Sequence, residues 1–152
     1  MTATSPHTVA TLQVRLLRDG ARLPARQSAL ASGYDLHACL DGGTLLVGGT
    51  PVLVPTGIAI AAPEGTDVQV RPRSGLSSRG VITILGTLDA DYRGEVFVTM
   101  YCLPGCGPHE VRSGDRIAQL VVSRLVDVAW EPVVALDETA RGSGGHGSTG
   151  TS

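Results

Sequence analysis

The chain has 152 residues, of which 42% are hydrophobic, and a formal net charge of -2. This length and apolar content suit one globular domain with its own core. The arginines are scattered and no apolar run approaches the length of a membrane span, so we expect neither a nucleic-acid nor a membrane partner. The first residues lack the charged and apolar regions of a signal peptide, which predicts a cytoplasmic protein.

The composition predicts an all-β fold. Aromatic residues make up only 3% of the chain, and 20 glycines and 9 prolines interrupt it too often for long helices. Short apolar runs between turn residues indicate a β-sandwich or barrel. The predicted strands are 8–17, 44–47, 52–54, 58–61, 68–71, 81–85, 95–102, 117–122 and 126–133, with at most one short helix, near Ser74.

The composition changes at Glu138, which predicts a β domain over 1–137 and a flexible glycine-rich arm over 138–152. Arg141 begins a run of glycines and hydroxyl residues that also contains His146. Glycines let backbone N–H groups converge on an anion, and a guanidinium binds phosphate oxygens bidentately. The composition of the arm therefore predicts that it binds phosphate. The alternative is that the arm is a disordered tail.

The three cysteines, Cys39, Cys102 and Cys106, are an odd number, so we expect reduced thiols rather than a disulfide framework. Cys102, Cys106 and His109 remain three possible zinc ligands that lack a fourth. The chain contains no lysine, which excludes a Walker-type phosphate loop.

The segment 86–96 carries the densest set of polar groups, on a turn between two apolar strands. Asp89 follows Leu88 at the edge of the first strand, where a partly shielded carboxylate is suited to act as a base. The alternative is an ordinary hairpin with charged residues at its tip.

Three other segments have polar groups that suit a site. The helix predicted at Arg73-Ser74-Gly75 offers its first amides to an anion, or Ser74 simply caps it. Arg116 and Gln119 lie near the start of a predicted strand and are candidates for a ligand contact. The alternative is a salt-bridged turn that leads into a core strand. The segment 32–36 is otherwise a turn with a buried tyrosine.

Together, and in this order, five segments resemble the five motifs of the homotrimeric dUTP pyrophosphatases, the dUTPases. The segments are 31–38, 73–77, 86–96, 114–120 and 141–150. The resemblance implies a β jelly roll, a homotrimer with shared active sites, and hydrolysis of dUTP to dUMP and pyrophosphate. This activity would limit uracil in DNA and supply dUMP for dTMP synthesis.

The same resemblance implies a role for each matching residue. Asp89 is the general base for a water that attacks the α-phosphorus, and Asp35 reaches a Mg2+ cofactor through water. Tyr92 lies against the deoxyribose and His146, where most members carry phenylalanine, stacks on the base. The other implied substrate contacts are Arg73, Ser74, Gly75 and Gln119 for the phosphates, Gly86, Thr87, Leu88 and Phe97 for uracil, Thr83 in place of a common asparagine, and Arg141, Gly147, Ser148 and Thr149 for the γ-phosphate.

Two other functions are compatible with parts of this pattern. One is dCTP deaminase, which shares the β architecture and an Arg-Ser-Ser-like segment. The other is a catalytically idle trimer that binds dUTP and contacts a protein partner. The Asp-x-Asp-Tyr-Arg-Gly run at 89–94 and the Arg141 tail favour the pyrophosphatase over the deaminase. The presence of Asp89, Gln119 and Arg141 together argues against an idle trimer.

Overall fold

The computed structural model describes residues 9–145, which form ten strands and one four-residue helix. The elements are β1 (Gln13–Leu16), β2 (Tyr34–His37), β3 (Thr44–Val47), β4 (Val52–Ala61), β5 (Thr66–Arg71), α1 (Ser74–Ser77), β6 (Val81–Thr83), β7 (Gly86–Leu88), β8 (Glu95–Cys102), β9 (His109–Arg112) and β10 (Arg116–Arg124). The all-β prediction with one short helix near Ser74 is confirmed. Among the described residues, no helix is long and apolar enough to cross a membrane.

Two four-stranded antiparallel sheets form the body of the domain. One has the strand order β1-β4-β8-β6 and the other β2-β10-β5-β7, while β3 and β9 form a separate pair. Every second residue of β8 is buried, as expected for a strand with one face on a core. Aliphatic side chains of both sheets, among them Leu36, Ile58 and Val98, make that core. The jelly-roll-like architecture is therefore confirmed.

A bulge at Gly57 bends the longest strand. β4 pairs with β8 up to Pro55 and again at Ala59, with a shift of register between them. The sequence predicts two strands here, 52–54 and 58–61, because the proline and glycine between them are typical of turns. Gly57 has a φ of +69°, and a Cβ there would lie 2.9 Å from the Cys39 Sγ, so the bulge requires glycine.

Other strand predictions met with mixed success. The bounds predicted for β3 and β8 are confirmed, whereas β2, β7 and β9 were not predicted. The predicted strand 126–133 is wrong for the single chain: residues 125–140 form no strand and are exposed, with Trp130 at 90%. A strand needs a neighbour for its backbone hydrogen bonds, and residues 9–145 of the single chain provide no neighbouring strand for 126–133.

The cysteines are free, with Cys39 and Cys102 buried and Cys106 exposed. The Cys102 Sγ donates to the main-chain oxygen of Val47 at 3.2 Å. Between residues 9 and 145, no three histidine, cysteine, aspartate or glutamate side chains converge as a metal site. Cys102, Cys106 and His109 therefore do not form the zinc site that the sequence left open.

Candidate active site

Two arginines share one buried carboxylate at the end of the second sheet. The Nε of Arg73 lies 3.2 Å from Oδ1 of Asp35, and the Nη1 of Arg116 lies 3.2 Å from Oδ2. Arg73 also donates to the main-chain oxygen of Arg116 at 2.8 Å. We call Asp35, Arg73 and Arg116 the arginine cluster. Because one carboxylate faces two partly exposed guanidinium groups, the cluster has a net positive charge and is suited to bind an anion.

Strand register brings three distant segments to this cluster. Gln119 of β10 lies opposite Asp35 of β2 on one side and opposite Arg71 of β5 on the other. The Gln119 side chain donates to the main-chain oxygen of Pro72 at 2.9 Å. A Cβ at Gly33 would overlap the Gln119 amide, so glycine is needed there. The structure thus brings together Asp35, Arg73 and Gln119, which the sequence selected separately.

The short helix begins beside the cluster. Its N-cap is Arg73, without a side-chain hydrogen bond to the helix, and Ser74 is the first helical residue. The alternative that Ser74 caps the helix is therefore wrong. Ser74 and Gly75 are both exposed next to Arg73 and are accessible to a ligand held by it.

His37 belongs to this region, although nothing in the sequence indicated a role for it. It lies two residues after Asp35 on β2, and its buried Nδ1 has no hydrogen-bond partner among residues 9–145. Burial lowers the pKa of His37 below 6.5, and the guanidinium of Arg22 lowers it further. The alternation of a strand, which puts residues i and i+2 on one face, would have pointed to this position had β2 been predicted as a strand.

A second region lies where the strands of a hairpin separate. β6 pairs with β8, and the Ile84 N–H still donates to the Thr99 oxygen at 2.9 Å. Beyond this point β7 joins β5 in the second sheet, whereas β8 stays beside β4 in the first. We call the space between β7 and residues 95–98 the strand fork.

Backbone polar groups face this fork from both sides. β7 is an edge strand, so one row of its N–H and C=O groups has no strand partner in the described sheet. On the other side, the Thr99 oxygen points toward β6, and the period of a strand directs the polar groups of Phe97 the same way. The fork therefore presents donors and acceptors that suit a planar, polar-edged ligand.

The turn that closes the fork carries Asp89 and Tyr92. The Tyr92 hydroxyl donates to the main-chain oxygen of Glu95 at 2.9 Å, which fixes the ring over Gly94. Asp89 is exposed in the single chain, at a groove of about 600 Å³ that Asp67 and Asp127 also line. Arg93 donates to the main-chain oxygens of Ala90 and Tyr92, not to a carboxylate as an ordinary charged hairpin tip suggests.

Asp89 and the arginine cluster of one chain lie at opposite ends of β5. Leu88 pairs with Val68, so Asp89 lies level with Asp67, whereas Arg73 follows the other end of β5. Six residues of extended chain separate these levels by roughly 20 Å. A single chain therefore does not bring Asp89 and the cluster together.

Other residues selected from the sequence lie apart from both regions. The Thr83 side chain is only 3% exposed and its hydroxyl donates to the Ile117 oxygen at 3.1 Å, which links the two sheets inside the core. Arg141 is exposed and its Nε donates to the nearby Gly144 oxygen at 2.8 Å. His146, Gly147, Ser148 and Thr149 lie outside the described residues.

The segments that form both regions match known proteins. The dUTPase family model matches residues 19–150. The deoxyuridine 5'-triphosphate nucleotidohydrolase of Desulfotalea psychrophila (strain LSv54 / DSM 12343) is 47% identical over 131 residues, covering 84% of this chain and 87% of that protein.

Solved structures share the fold. A point mutant of the Staphylococcus bacteriophage 80alpha dUTPase with dUpNHpp gives a TM-score of 0.76 at 25% identity, covering 93% of this chain and 99% of the phage chain. A point mutant of the dUTPase from phage phi11 of S. aureus, with a structural Mg(II) ion, gives 0.72 at 25% identity and covers 84% and 99%. Since the family model spans all four described segments that form the two regions, the chain belongs to the dUTPase family.

Proposed function

We propose that the protein hydrolyses dUTP to dUMP and pyrophosphate at a site formed by the arginine cluster of one copy and the strand fork of another. The observation that carries this proposal is the separation of the cluster and Asp89 along β5. It is supported by the curated relative, whose name states this activity, and by the phage relative solved with dUpNHpp. The proposed physiological roles are to limit uracil in DNA and to supply dUMP, in the cytoplasm.

The arginine cluster binds the phosphates in this proposal. Arg73 is held by Asp35 in an orientation that leaves it 26% exposed, and a phosphate is a better partner for its remaining donors than water. Ser74 and Gly75 add donors at the adjacent chain turn, and Gln119 adds its side-chain amide. Because Asp35 fixes the guanidinium before the substrate binds, less side-chain freedom is lost on binding.

The strand fork binds the nucleoside. Main-chain groups of Gly86, Thr87, Leu88 and Phe97 pair with the uracil edge, and the Tyr92 ring lies against the deoxyribose. A slot between two strands has a fixed width, so the methyl group of thymine is rejected by shape. The side chain of Thr83 contributes only indirectly, through its bond to Ile117, which sets the position of β6 at the base of the fork.

Asp89 is the general base. Its carboxylate accepts a proton from a water whose oxygen forms a bond to the α-phosphorus, while the bond from that phosphorus to the bridging oxygen breaks and pyrophosphate leaves with the electron pair. Asp89 lies on the exposed turn at the mouth of the fork, where a nucleotide held by its base presents its phosphates. The carboxylate is shielded from solvent only when the second copy and the substrate cover it.

The residues present are compatible with Mg2+ bound through the substrate. Mg2+ usually keeps several waters and binds phosphate oxygens with few protein ligands, so the lack of a three-ligand cluster among residues 9–145 fits this mode. Both oxygens of Asp35 already face arginines, which suits a contact through water. When bound, the ion neutralises charge on the leaving pyrophosphate.

Assembly into a homotrimer completes the site. The exposed segment 125–136 carries Leu125, Val126, Trp130 and Val134, all more than half exposed in the single chain. Exposed apolar surface of this kind is typical of a contact with another chain, and a second copy is the partner that also supplies the missing half of the site. The arm then follows, and Arg141, His146, Gly147, Ser148 and Thr149 close over the triphosphate and the base.

The test is pyrophosphate release from dUTP, dTTP, dCTP and UTP, with and without Mg2+. We expect dUTP to be cleaved much faster than dTTP, dCTP or UTP, and Mg2+ to accelerate its cleavage. Ammonia release from dCTP, at a rate equal to or above that of dUTP cleavage, would instead identify a deaminase. Binding of dUTP without any turnover would identify a nucleotide sensor.

A further inference from the structure

An ion pair anchors the first residue of β8, beside the strand fork. The Nη2 of Arg18 lies 2.5 Å from the Oε2 of Glu95, although the two residues are 77 positions apart in the chain. Their side chains are only 28% and 12% exposed. The other carboxylate oxygen, Oε1, accepts the N–H of Gly57 at 2.8 Å, at the bulge of β4. Both oxygens of Glu95 therefore have partners from other segments.

The anchored residue also holds Tyr92. The Tyr92 hydroxyl donates to the main-chain oxygen of Glu95, and the absence of a side chain at Gly94 lets the ring lie close. Residues 91–94 are exposed, so Glu95 is the point where the turn meets the buried part of the domain. Movement of the Glu95 backbone would therefore move the hydrogen-bond acceptor of Tyr92.

We propose that Arg18 and Glu95 are positioning residues that hold Tyr92 and thereby set the preference for deoxyribonucleotides over ribonucleotides. The inference depends on the proposed contact between Tyr92 and the deoxyribose. A ribonucleotide differs from a deoxyribonucleotide by one added oxygen atom at the 2′ position. Rejection of the ribonucleotide therefore requires that the Tyr92 ring be held in place to within much less than the thickness of the ring. The ion pair supplies that constraint through the Glu95 backbone.

A stabilising role alone explains this ion pair less well. Two charges that leave water gain little net free energy of folding, and apolar replacements of buried pairs are often neutral or stabilising. A pair that fixes the relative position of three chain segments has a different effect, on geometry. Arg18 also donates to the Cys39 oxygen at 3.4 Å, so a further partner besides Glu95 holds the guanidinium.

The test compares kcat/KM for dUTP with kcat/KM for UTP in the full-length protein. Arg18→Met keeps an unbranched side chain and removes the charge, and Glu95→Gln keeps an acceptor for Gly57. An apolar surface rejects an added hydroxyl by about 10²-fold. We expect each variant to lower the ratio of kcat/KM for dUTP to kcat/KM for UTP by about tenfold. This ratio is insensitive to the fraction of folded enzyme, because misfolding lowers both rates equally.

Two further variants sharpen the result. Arg112→Met breaks an exposed pair with Glu110, 71% and 44% exposed, and should leave the ratio unchanged. Tyr92→Phe removes the bond to Glu95 and should lower the ratio by itself, and adding Arg18→Met should then lower it little further. If Arg18→Met does not fold, Glu95→Gln provides the same test.

The possible failures are distinct. If the wild-type protein releases no pyrophosphate from dUTP, the proposed function is wrong. If it prefers dUTP to UTP but Arg18→Met and Glu95→Gln keep the wild-type ratio while both rates fall together, the ion pair only stabilises the fold and this inference is overturned.

Discussion

The arginine cluster and the strand fork differ in one respect: a single chain completes the cluster but leaves the fork open. In the cluster, Asp35 is 7% exposed and both of its oxygens are paired within the chain. In the fork, the edge of β7 is open and Asp89 is exposed. In the proposed site, the half that binds phosphate is thus formed on folding, whereas the half that carries the base is completed by assembly. Substitutions in the cluster should therefore affect both stability and phosphate binding, whereas substitutions in the fork should affect turnover with little change in stability.

The largest expected effect is that of Asp89→Asn. Loss of the base should lower kcat for dUTP by about 10³-fold, while dUpNHpp binding stays near the wild-type value because the arginines remain. Since Asp89 is exposed in the single chain, the free energy of unfolding should change little. Steady-state kinetics, calorimetric titration and urea unfolding measure the three quantities. An unchanged kcat would show that another group is the base.

Removal of residues 141–152 should have the next largest effect. The described part of this arm makes only local bonds, such as that of Arg141 to Gly144, so the remaining chain should fold and assemble as before. Activity should fall by about 10²-fold, because the triphosphate is less well oriented. Sedimentation velocity and pyrophosphate release are the measurements. Full activity in the truncated trimer would contradict a closing arm.

Asp35→Asn tests how much the arginine cluster contributes to stability. It leaves two guanidinium groups facing each other without their carboxylate, which should cost about 2 kcal/mol of unfolding free energy, given that Arg73 and Arg116 are partly exposed. Asp41→Asn is the matched control, because Asp41 pairs with Arg18 but is 87% exposed. Equal urea midpoints for the two variants would mean that the cluster does not contribute to stability.

The smallest expected effect is a pH dependence caused by His37. Its pKa in the folded chain lies below 6.5, so the unfolded chain takes up a proton first as the pH falls, and stability decreases from about pH 7 toward the folded-state pKa. His37→Gln should remove this part of the decrease in stability at acid pH. Above about pH 8 the imidazole is neutral in both states, so the substitution should not change how stability depends on pH there. Urea unfolding across this range provides the comparison. An identical pH slope in both proteins would exclude His37 as the cause.

The sequence predicted the fold better where local pattern and pairing agree. β8 alternates buried and exposed residues and has neighbours on both sides, so its bounds were predicted correctly. The segment 126–133 has a similar apolar pattern but no neighbouring strand in the described part of the single chain. β7 was missed because its three residues begin with a glycine, and only its pairing with β5 makes it a strand.

The candidate site was predictable as residues but not as contacts. Asp35, Arg73 and Gln119 were selected from separate segments, and their meeting depends on the register of β10 between β2 and β5. The pair of Arg18 and Glu95 crosses 77 positions and depends on a bulge that the sequence suggests only as a turn. The distance between Asp89 and the cluster could not be predicted from the sequence, because it depends on which end of β5 lies beside each of them.

Complementation between two inactive variants tests the shared site most directly. Asp89→Asn chains keep the arginine cluster, and Arg73→Gln chains keep Asp89. When equal amounts are unfolded together and refolded, we expect about one quarter of the sites to combine an intact fork with an intact cluster from another copy, and activity to return in proportion. Refolded wild-type protein is the reference. Mixed trimers that form but remain as inactive as the separate variants would show that each chain builds its own site.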